Sequence, residues 1–394
     1  MDCFGVLKLN KYFLGFKRKD GSVGIRNKLL IISITGLTGP TARKISNLLQ
    51  DTLFVDNPYG GGIIGEDKIR QDNAIIGFAK NPNVGAVLII SADPPKGDFI
   101  KSRLENSSKP IELLTLDECN HDAIKLLELG LRKGANLIRR ISKNKREKVS
   151  LSKLSIGLEC GRSDPSSGLV ANPVMGLIAD RLIDLGGSAV IGETIEWLGA
   201  EHLLENRAKS NKVKIKISKA VNFQKQFSQS KGINLLGNNP GHQNIEAGLS
   251  TIEEKSLGNI TKSGSKKIED VLQWGEKIDK KGMFLMHAPY YAPESLSGFS
   301  AAGCQVTLFS TGVGNSFTNH IAPSIKYSAN PEICGKLNNQ LDFECSDVFL
   351  GKKSFEDALN NFWNFMIDVC SGTLTWGEIL NDSSEVFSRI DRSL

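Results

Sequence analysis

Leu154-Ser155-Ile156-Gly157-Leu158-Glu159-Cys160-Gly161-Arg162-Ser163-Asp164-Pro165-Ser166-Ser167-Gly168 is the stretch whose reading decides the fold. Its first five residues form an apolar run that reads as a buried strand. The run stops at a short loop rich in Gly, Ser and Asp. Asn172-Pro173 then opens a helical segment, with Pro suited to the first turn. A strand, a polar loop and a helix in that order make half of a βαβ unit. In open α/β sheets, such loops at the carboxyl ends of strands carry the ligands. Turn chemistry alone also accounts for Gly, Ser and Asp here, so the loop is a candidate site and no more.

Working outward, the same alternation recurs on both sides. Lys28–Ser33 is a continuous apolar run typical of a parallel strand. Short strands are expected at Leu53–Val55, Val84–Ile90 and Ile111–Thr115, with helices between them. Beyond the stretch, strands are expected at 189–191, 283–286, 305–309 and 325–327, and a helix at Phe355–Cys370. The expected fold is α/β, with two doubly wound domains and mainly parallel sheets of the Rossmann or flavodoxin kind. Residues 142–153 are charged and poor in large apolar side chains. They separate a first α/β domain, 1–146, from a C-terminal α/β domain, 150–394, that carries most of the candidate site.

Composition narrows the function. The 394 residues are 40% hydrophobic and 23% charged, with a formal charge of +6. Basic residues cluster at Arg139–Lys148 and Lys209–Lys219 without interleaved aromatics or a nucleic-acid motif, so no nucleic acid is expected. No apolar run is long enough to span a membrane, and Met1–Gly5 does not begin a signal peptide. The seven cysteines show no C-x-x-C spacing and are odd in number, against a disulfide framework. A reduced, cytoplasmic protein is expected, as a homo-oligomer. The Gly60-Gly61-Gly62 loop lacks the phosphate-cradle pattern G-x-x-x-x-G-K-[ST].

Polar residues gather at four strand ends in the second domain. These are Cys160/Ser163/Asp164, Glu193/Thr194/Glu196, His287, and Ser310/Thr311/Asn315/Ser316. A fifth segment, Ser250-Thr251-Ile252-Glu253-Glu254-Lys255, places two carboxylates and a lysine among small residues. It also fits a capping box with acids in the first helical turn. Convergence of several such clusters at one sheet edge is what favours a shared site.

With these residues in view, the chain resembles the altronate/galactarate dehydratase family. The resemblance rests on Val23-Gly24-Ile25-Arg26-Asn27, Asn81-Pro82-Asn83-Val84-Gly85, the Leu158–Gly168 loop, Ala171-Asn172-Pro173, Glu193-Thr194, Gly199-Ala200-Glu201-His202 and, above all, Gly248–Gly258. It implies a lyase subunit that removes a β-substituent, water, from a small hydroxy or sugar acid such as altronate or galactarate. The product would be a 2-keto acid. The related sulfolactate sulfo-lyase large subunit is the alternative, releasing bisulfite and pyruvate beside a separate small subunit. A non-catalytic sugar-acid-binding paralogue is the third.

Such chemistry needs a base near the carboxylate, and cationic or metal stabilisation of an enolate-like state. The expected catalytic residues are Glu193, Glu253, Glu254 and Lys255. The expected substrate-binding residues are Cys160, Gly161, Ser163, Asp164, Ser250 and Thr251. Cys160, Glu193 and His202 are the expected ligands of Fe(II), or of Mn(II). The chain departs from the family pattern where soft ligands are usual. It has Gly36–Pro40, Asn57–Gly62 and Ser91–Pro95 at three such positions, His287-Ala288 for an expected Asp, and Val313 for an expected Arg. The small N-terminal domain fused in altronate and galactarate enzymes is also expected to be lacking.

Overall fold

The computed structural model describes residues 10–107, 109–233, 240–246 and 248–389. Cys3 lies outside them. The chain opens with an antiparallel pair, β1 (Tyr12–Lys17) and β2 (Val23–Gly24). A four-stranded parallel sheet follows, from β3 (Lys28–Ser33), β4 (Thr52–Asp56), β5 (Val84–Ser91) and β6 (Ile111–Thr115). Its order is β4-β3-β5-β6. β5 is buried along its whole length, as a strand covered by helices on both faces must be.

The segment expected to be a plain linker contains a strand, β7 (Glu147–Ser150), paired antiparallel with β1. Only its Val149 is buried. Its charged residues serve at the edge: Lys148 lies 4.4 Å from the Tyr12 ring centroid, and Glu147 bonds Lys17 at 2.7 Å. The connection between the domains is thus stitched into a small sheet of its own.

The second sheet is seven-stranded and wholly parallel. It comprises β8 (Ser155–Gly161), β9 (Ser188–Ile191), β10 (Ile268–Gln273), β11 (Gly282–His287), β12 (Val306–Thr311), β14 (Ser324–Ser328) and β15 (Phe343–Glu344). Two short strands, β13 (Thr318–Asn319) and β16 (Ser383–Ser384), pair apart from it. Its order, β10-β11-β9-β8-β12-β14-β15, reverses direction between β8 and β12. That switch point, at the carboxyl ends of the two strands, is where an open α/β sheet leaves a crevice.

The two domains share one apolar core, in which Leu30 and Ile32 of the first sheet join Phe284 and Phe299 of the second domain. The helices Gly65–Lys80 and Ala292–Ala302 approach so closely that a Cβ on Gly77 would lie 2.4 Å from the Ala301 carbonyl oxygen. Polar pins add to this. Arg26 is bidentate on Glu378 at 2.7 Å and also donates to the Val369 and Thr373 carbonyls. Asn81 and Asn83 donate to four carbonyls of the second domain, those of Ser300, Cys304, Gln305 and Ile321. Among the described residues, no helix is long and apolar enough to cross a membrane.

The C-terminal strap crosses both domains. Phe387 meets Phe78 edge-on at 5.6 Å, and Arg389 lies over Tyr59 at 5.0 Å. Ahead of them in the strap, Glu385 is buried and accepts from Ile321 N (2.9 Å), His320 N (3.1 Å), Ser300 Oγ (3.1 Å) and Asn319 Nδ2 (3.2 Å). Burial outweighs these donors and pushes the carboxyl up to about 7. A raised folded-state pKa means stability present at low pH is lost as pH climbs to that value. Wild-type melting temperature is therefore expected to fall between about pH 4.5 and about pH 7 through this group. Glu385→Gln should flatten that window, read by melting curves across pH. Equal slopes in both proteins would show that Glu385 does not titrate there.

Candidate active site

Glu159 and Cys160 lie near the end of β8, where their backbone is paired with Phe309 and Ser310 of β12. Glu159 is wholly buried in an otherwise apolar strand. One oxygen takes the Lys262 ammonium and the Cys160 N–H, and the other takes the Ser295 hydroxyl at 2.5 Å. Lys262 is equally buried. Burial alone would depress its pKa, but the Cys160 sulfur and the Glu159 and Glu196 carboxyls around it hold it above the ordinary lysine range.

The β9 end turns sharply. Gly192 leaves no room for a side chain, since a Cβ there would sit 1.9 Å from Ser295 Oγ. Glu193 follows in the left-handed region at φ 55°. The 3-10 turn Thr194–Trp197 is then locked by a bond from the Trp197 indole to the Gly192 carbonyl at 3.1 Å. This turn delivers two carboxyls to the interior, Glu193 and Glu196. Burial, with Glu196 and Glu159 alongside, pushes Glu193 well above the ordinary range, which favours its protonated form. Burial acts on Glu196 too, but Lys255 and Lys262 overcome it and hold that carboxyl low. Thr194 bonds the His287 ring at 2.9 Å, and burial takes that histidine down to about 4, so it is neutral.

The third element is the helix Ile252–Ile260 with its 3-10 extension Thr261–Ser263. Thr251 caps it, accepting from Glu254 N at 3.1 Å. Glu254 reaches back to Ser250 N (2.8 Å) and Ser250 Oγ (2.6 Å). The helical period sends Lys255, Asn259 and then Lys262 inward, on one face. Lys255 Nζ lies 2.8 Å from Glu196 Oε1 and 3.0 Å from the Tyr290 hydroxyl. Glu196 Oε2 has no standing donor among the described residues, and the protonated Glu193 beside it can lend one.

A cavity of about 350 Å³ opens onto this group. Cys160, Ser163, Asp164, Glu196, Glu254 and Lys255 border it, so five of the expected site residues meet there and Glu196 joins them. Other expected residues do not face it. Glu253, Ser250 and Thr251 are exposed at the helix start, and His202 is exposed on the helix Glu201–Asn206. Glu193 lies buried behind Glu196. Gly161 packs against the Phe309 ring, 3.0 Å from where a Cβ would sit. The three donor atoms that could hold a metal ion come from Glu159, Cys160 and Glu196, within 4.8 Å of one another. Of the expected metal ligands only Cys160 is in that group. The open oxygen of Glu196 and the mixed carboxylate–thiol donor set suit a divalent ion of intermediate softness.

Two family models account for nearly all of the described chain. One, D-galactarate/altronate dehydratase, C-terminal, matches residues 151–392 and so contains the whole cavity. The other, the second domain of D-galactarate dehydratase/altronate hydrolase, matches residues 15–142. The chain belongs to the D-galactarate/altronate dehydratase family. Within it, the (2R)-sulfolactate sulfo-lyase subunit beta of Chromohalobacter salexigens is 30% identical, over 97% of this chain and 98% of that protein. The altronate dehydratase of Bacillus subtilis is 33% identical, over 96% of this chain and 77% of that enzyme. The altronate dehydratase of Escherichia coli is 31% identical, over 94% and 76%. These relatives are dehydratases and a sulfo-lyase subunit, which places the chain among lyases. Glu159, Lys262 and Asn259 were not singled out from the sequence of this dehydratase-family chain. The signal that could have found the last two is the Lys255, Asn259, Lys262 spacing on one helical face.

Proposed function

We propose that this chain eliminates a β-substituent from a small anionic 2-hydroxy carboxylate. The observation that carries this is the Glu196–Lys255 pair, buried at the wall of a cavity in a dehydratase-family chain. Lys255 takes the substrate carboxylate and steadies the charge that builds on it. Glu196 removes the proton at C2. The C2–H and C3–leaving-group bonds break, a C2=C3 bond forms, and the enol tautomerises to the 2-keto acid. Glu193, kept protonated, gives Glu196 a neutral neighbour and can return a proton. General acid–base help of this kind is worth about 10²–10⁴ in rate.

Glu159, Cys160 and Glu196 would hold Fe(II) or Mn(II). Such an ion, when bound, supplies Lewis-acid stabilisation of an enolate oxygen. Anaerobically prepared protein is expected to carry one such ion per chain by metal analysis, and to lose activity with chelator. Metal-free protein whose activity ignores chelator would remove the ion from this account.

Water is the leaving group by the weight of the dehydratase relatives, with altronate and galactarate as their substrates. Sulfite is the second reading, favoured by the match to almost the whole length of the sulfolactate sulfo-lyase beta subunit. Under it a separate small subunit would work with this chain, and assays should be run with and without one. We place the protein in the reducing cytoplasm as a homo-oligomer; the six described cysteines are all free and buried.

A further inference from the structure

Elimination of water needs an acid as well as a base. Hydroxide is the conjugate base of water, whose pKa is about 15.7, so the C3 oxygen departs readily only as it gains a proton. Glu193 is badly placed to give that proton, being buried behind Glu196.

One phenol stands beside the charged pair. β11 runs out into Ala288-Pro289-Tyr290-Tyr291, and the helix Ala292–Ala302 follows at once. Ala288 is clamped to Thr194 by two bonds of 3.2 Å, its N–H to the Thr194 hydroxyl and its carbonyl from Thr194 N. The Tyr290 side chain therefore leaves a fixed loop. Its hydroxyl accepts from Lys255 Nζ at 3.0 Å, and its ring centroid lies 4.7 Å from the same nitrogen. That nitrogen is also 2.8 Å from Glu196 Oε1. Among the described residues the phenol makes no other hydrogen bond, so its own hydrogen has no acceptor there. Burial keeps the phenol above the ordinary tyrosine range even beside Lys255, so it carries its proton at neutral pH.

We propose that Tyr290 is the general acid of the dehydration, giving its phenol proton to the C3 hydroxyl as that group departs. The proposal rests on the lyase reading with water as the leaving group. As Glu196 takes the C2 proton, the C2–H electron pair becomes the second bond of C2=C3. The C3–O pair leaves with the oxygen, which takes the Tyr290 proton and departs as water. Glu196 is then protonated and Tyr290 is a phenolate. Lys255, bonded to both, gives the phenolate a proton and takes one from Glu196. Acid and base are reset with no net change in the protein's protons.

The full chain, loaded with Fe(II) and supplemented with any separate small subunit, is assayed for keto-acid formation from altronate, galactarate and (2R)-sulfolactate. Tyr290→Phe keeps the ring beside Lys255 and, at a position 41% exposed, should melt as wild type does. Its kcat for dehydration should fall by about 10² or more, the loss typical of a removed general acid, with KM changed far less. That substitution also takes an acceptor from Lys255. Tyr290→3,5-difluorotyrosine keeps the hydroxyl and makes it a stronger acid, so the high-pH limb of kcat should move to lower pH. Support of Lys255 alone would leave the limb where it is. A smaller loss in folded Tyr290→Phe overturns the proposal and leaves the lyase reading intact. So does an unmoved limb in the fluorinated protein. Wild-type turnover of (2R)-sulfolactate alone does the same, because sulfite leaves as a stable anion and needs no acid. No wild-type turnover of any of the three overturns the lyase reading, and this proposal with it.

Discussion

Glu196→Gln is expected to lose about 10²–10⁴ of turnover while still folding, the loss typical of a removed general base. The amide keeps the shape of the side chain and can still accept from Lys255, which sits 2.8 Å away. It cannot take a proton. Glu253→Gln makes the contrast, because Glu253 is exposed on the outer face of its helix and should keep near-wild-type turnover. Glu254→Gln should act mainly on the helix start, where losing a cap costs about 0.5–2 kcal/mol. Lys255→Met should raise KM and also lower kcat, since the ammonium grips the substrate carboxylate before and during the reaction. Steady-state kinetics with melting curves on each variant separate these outcomes. Full activity in Glu196→Gln would show that the base lies elsewhere.

This contrast shows where the sequence could be read and where it could not. The strand–loop–helix unit around Cys160 was legible because β8 opens on a mostly apolar run and is followed by turn residues. β3, β5 and β12 were legible for the same reason. The small sheet of β1, β2 and β7 was not. Its strands are partly charged, and β7 pairs across more than a hundred residues with a strand whose outer face is exposed. Local pattern carries no signal for such a pairing. The Glu253-Glu254-Lys255 triplet was legible as a cluster but not as a direction. A helix turns about 100° per residue, so three adjacent side chains cannot share a face. Here Lys255 points in, while the acids point out.

Other motifs that carry the family resemblance do their work away from the cavity. Arg26, Asn81 and Asn83 hold the two domains together, each by donating to backbone carbonyls of the second domain. From sequence alone, a motif that pins domains looks the same as one that binds substrate. Glu159 was hidden for a different reason. A carboxylate inside an apolar strand reads as an interruption, and its counter-ion Lys262 lies 103 residues further on. Only the folded chain brings the two together.

That pair makes the strongest stability prediction. Glu159 and Lys262 are both fully buried, and neither has water to fall back on. Taking one charge from a buried pair costs about 3–5 kcal/mol, because the other is left uncompensated. Lys262→Met is therefore expected to lower the unfolding free energy by about that amount. Glu159→Gln alone should cost less, since the amide oxygen can still accept from the ammonium while the amide nitrogen donates to the Ser295 hydroxyl oxygen. The double variant Glu159→Gln/Lys262→Met buries no net charge, and should recover much of what Lys262→Met loses. Denaturant unfolding of the three variants closes the cycle. A Lys262→Met protein as stable as wild type would mean that Glu159 carries no charge in the folded chain. In that case Lys262 would take its counter-charge from Glu196, another of the groups that raise its pKa.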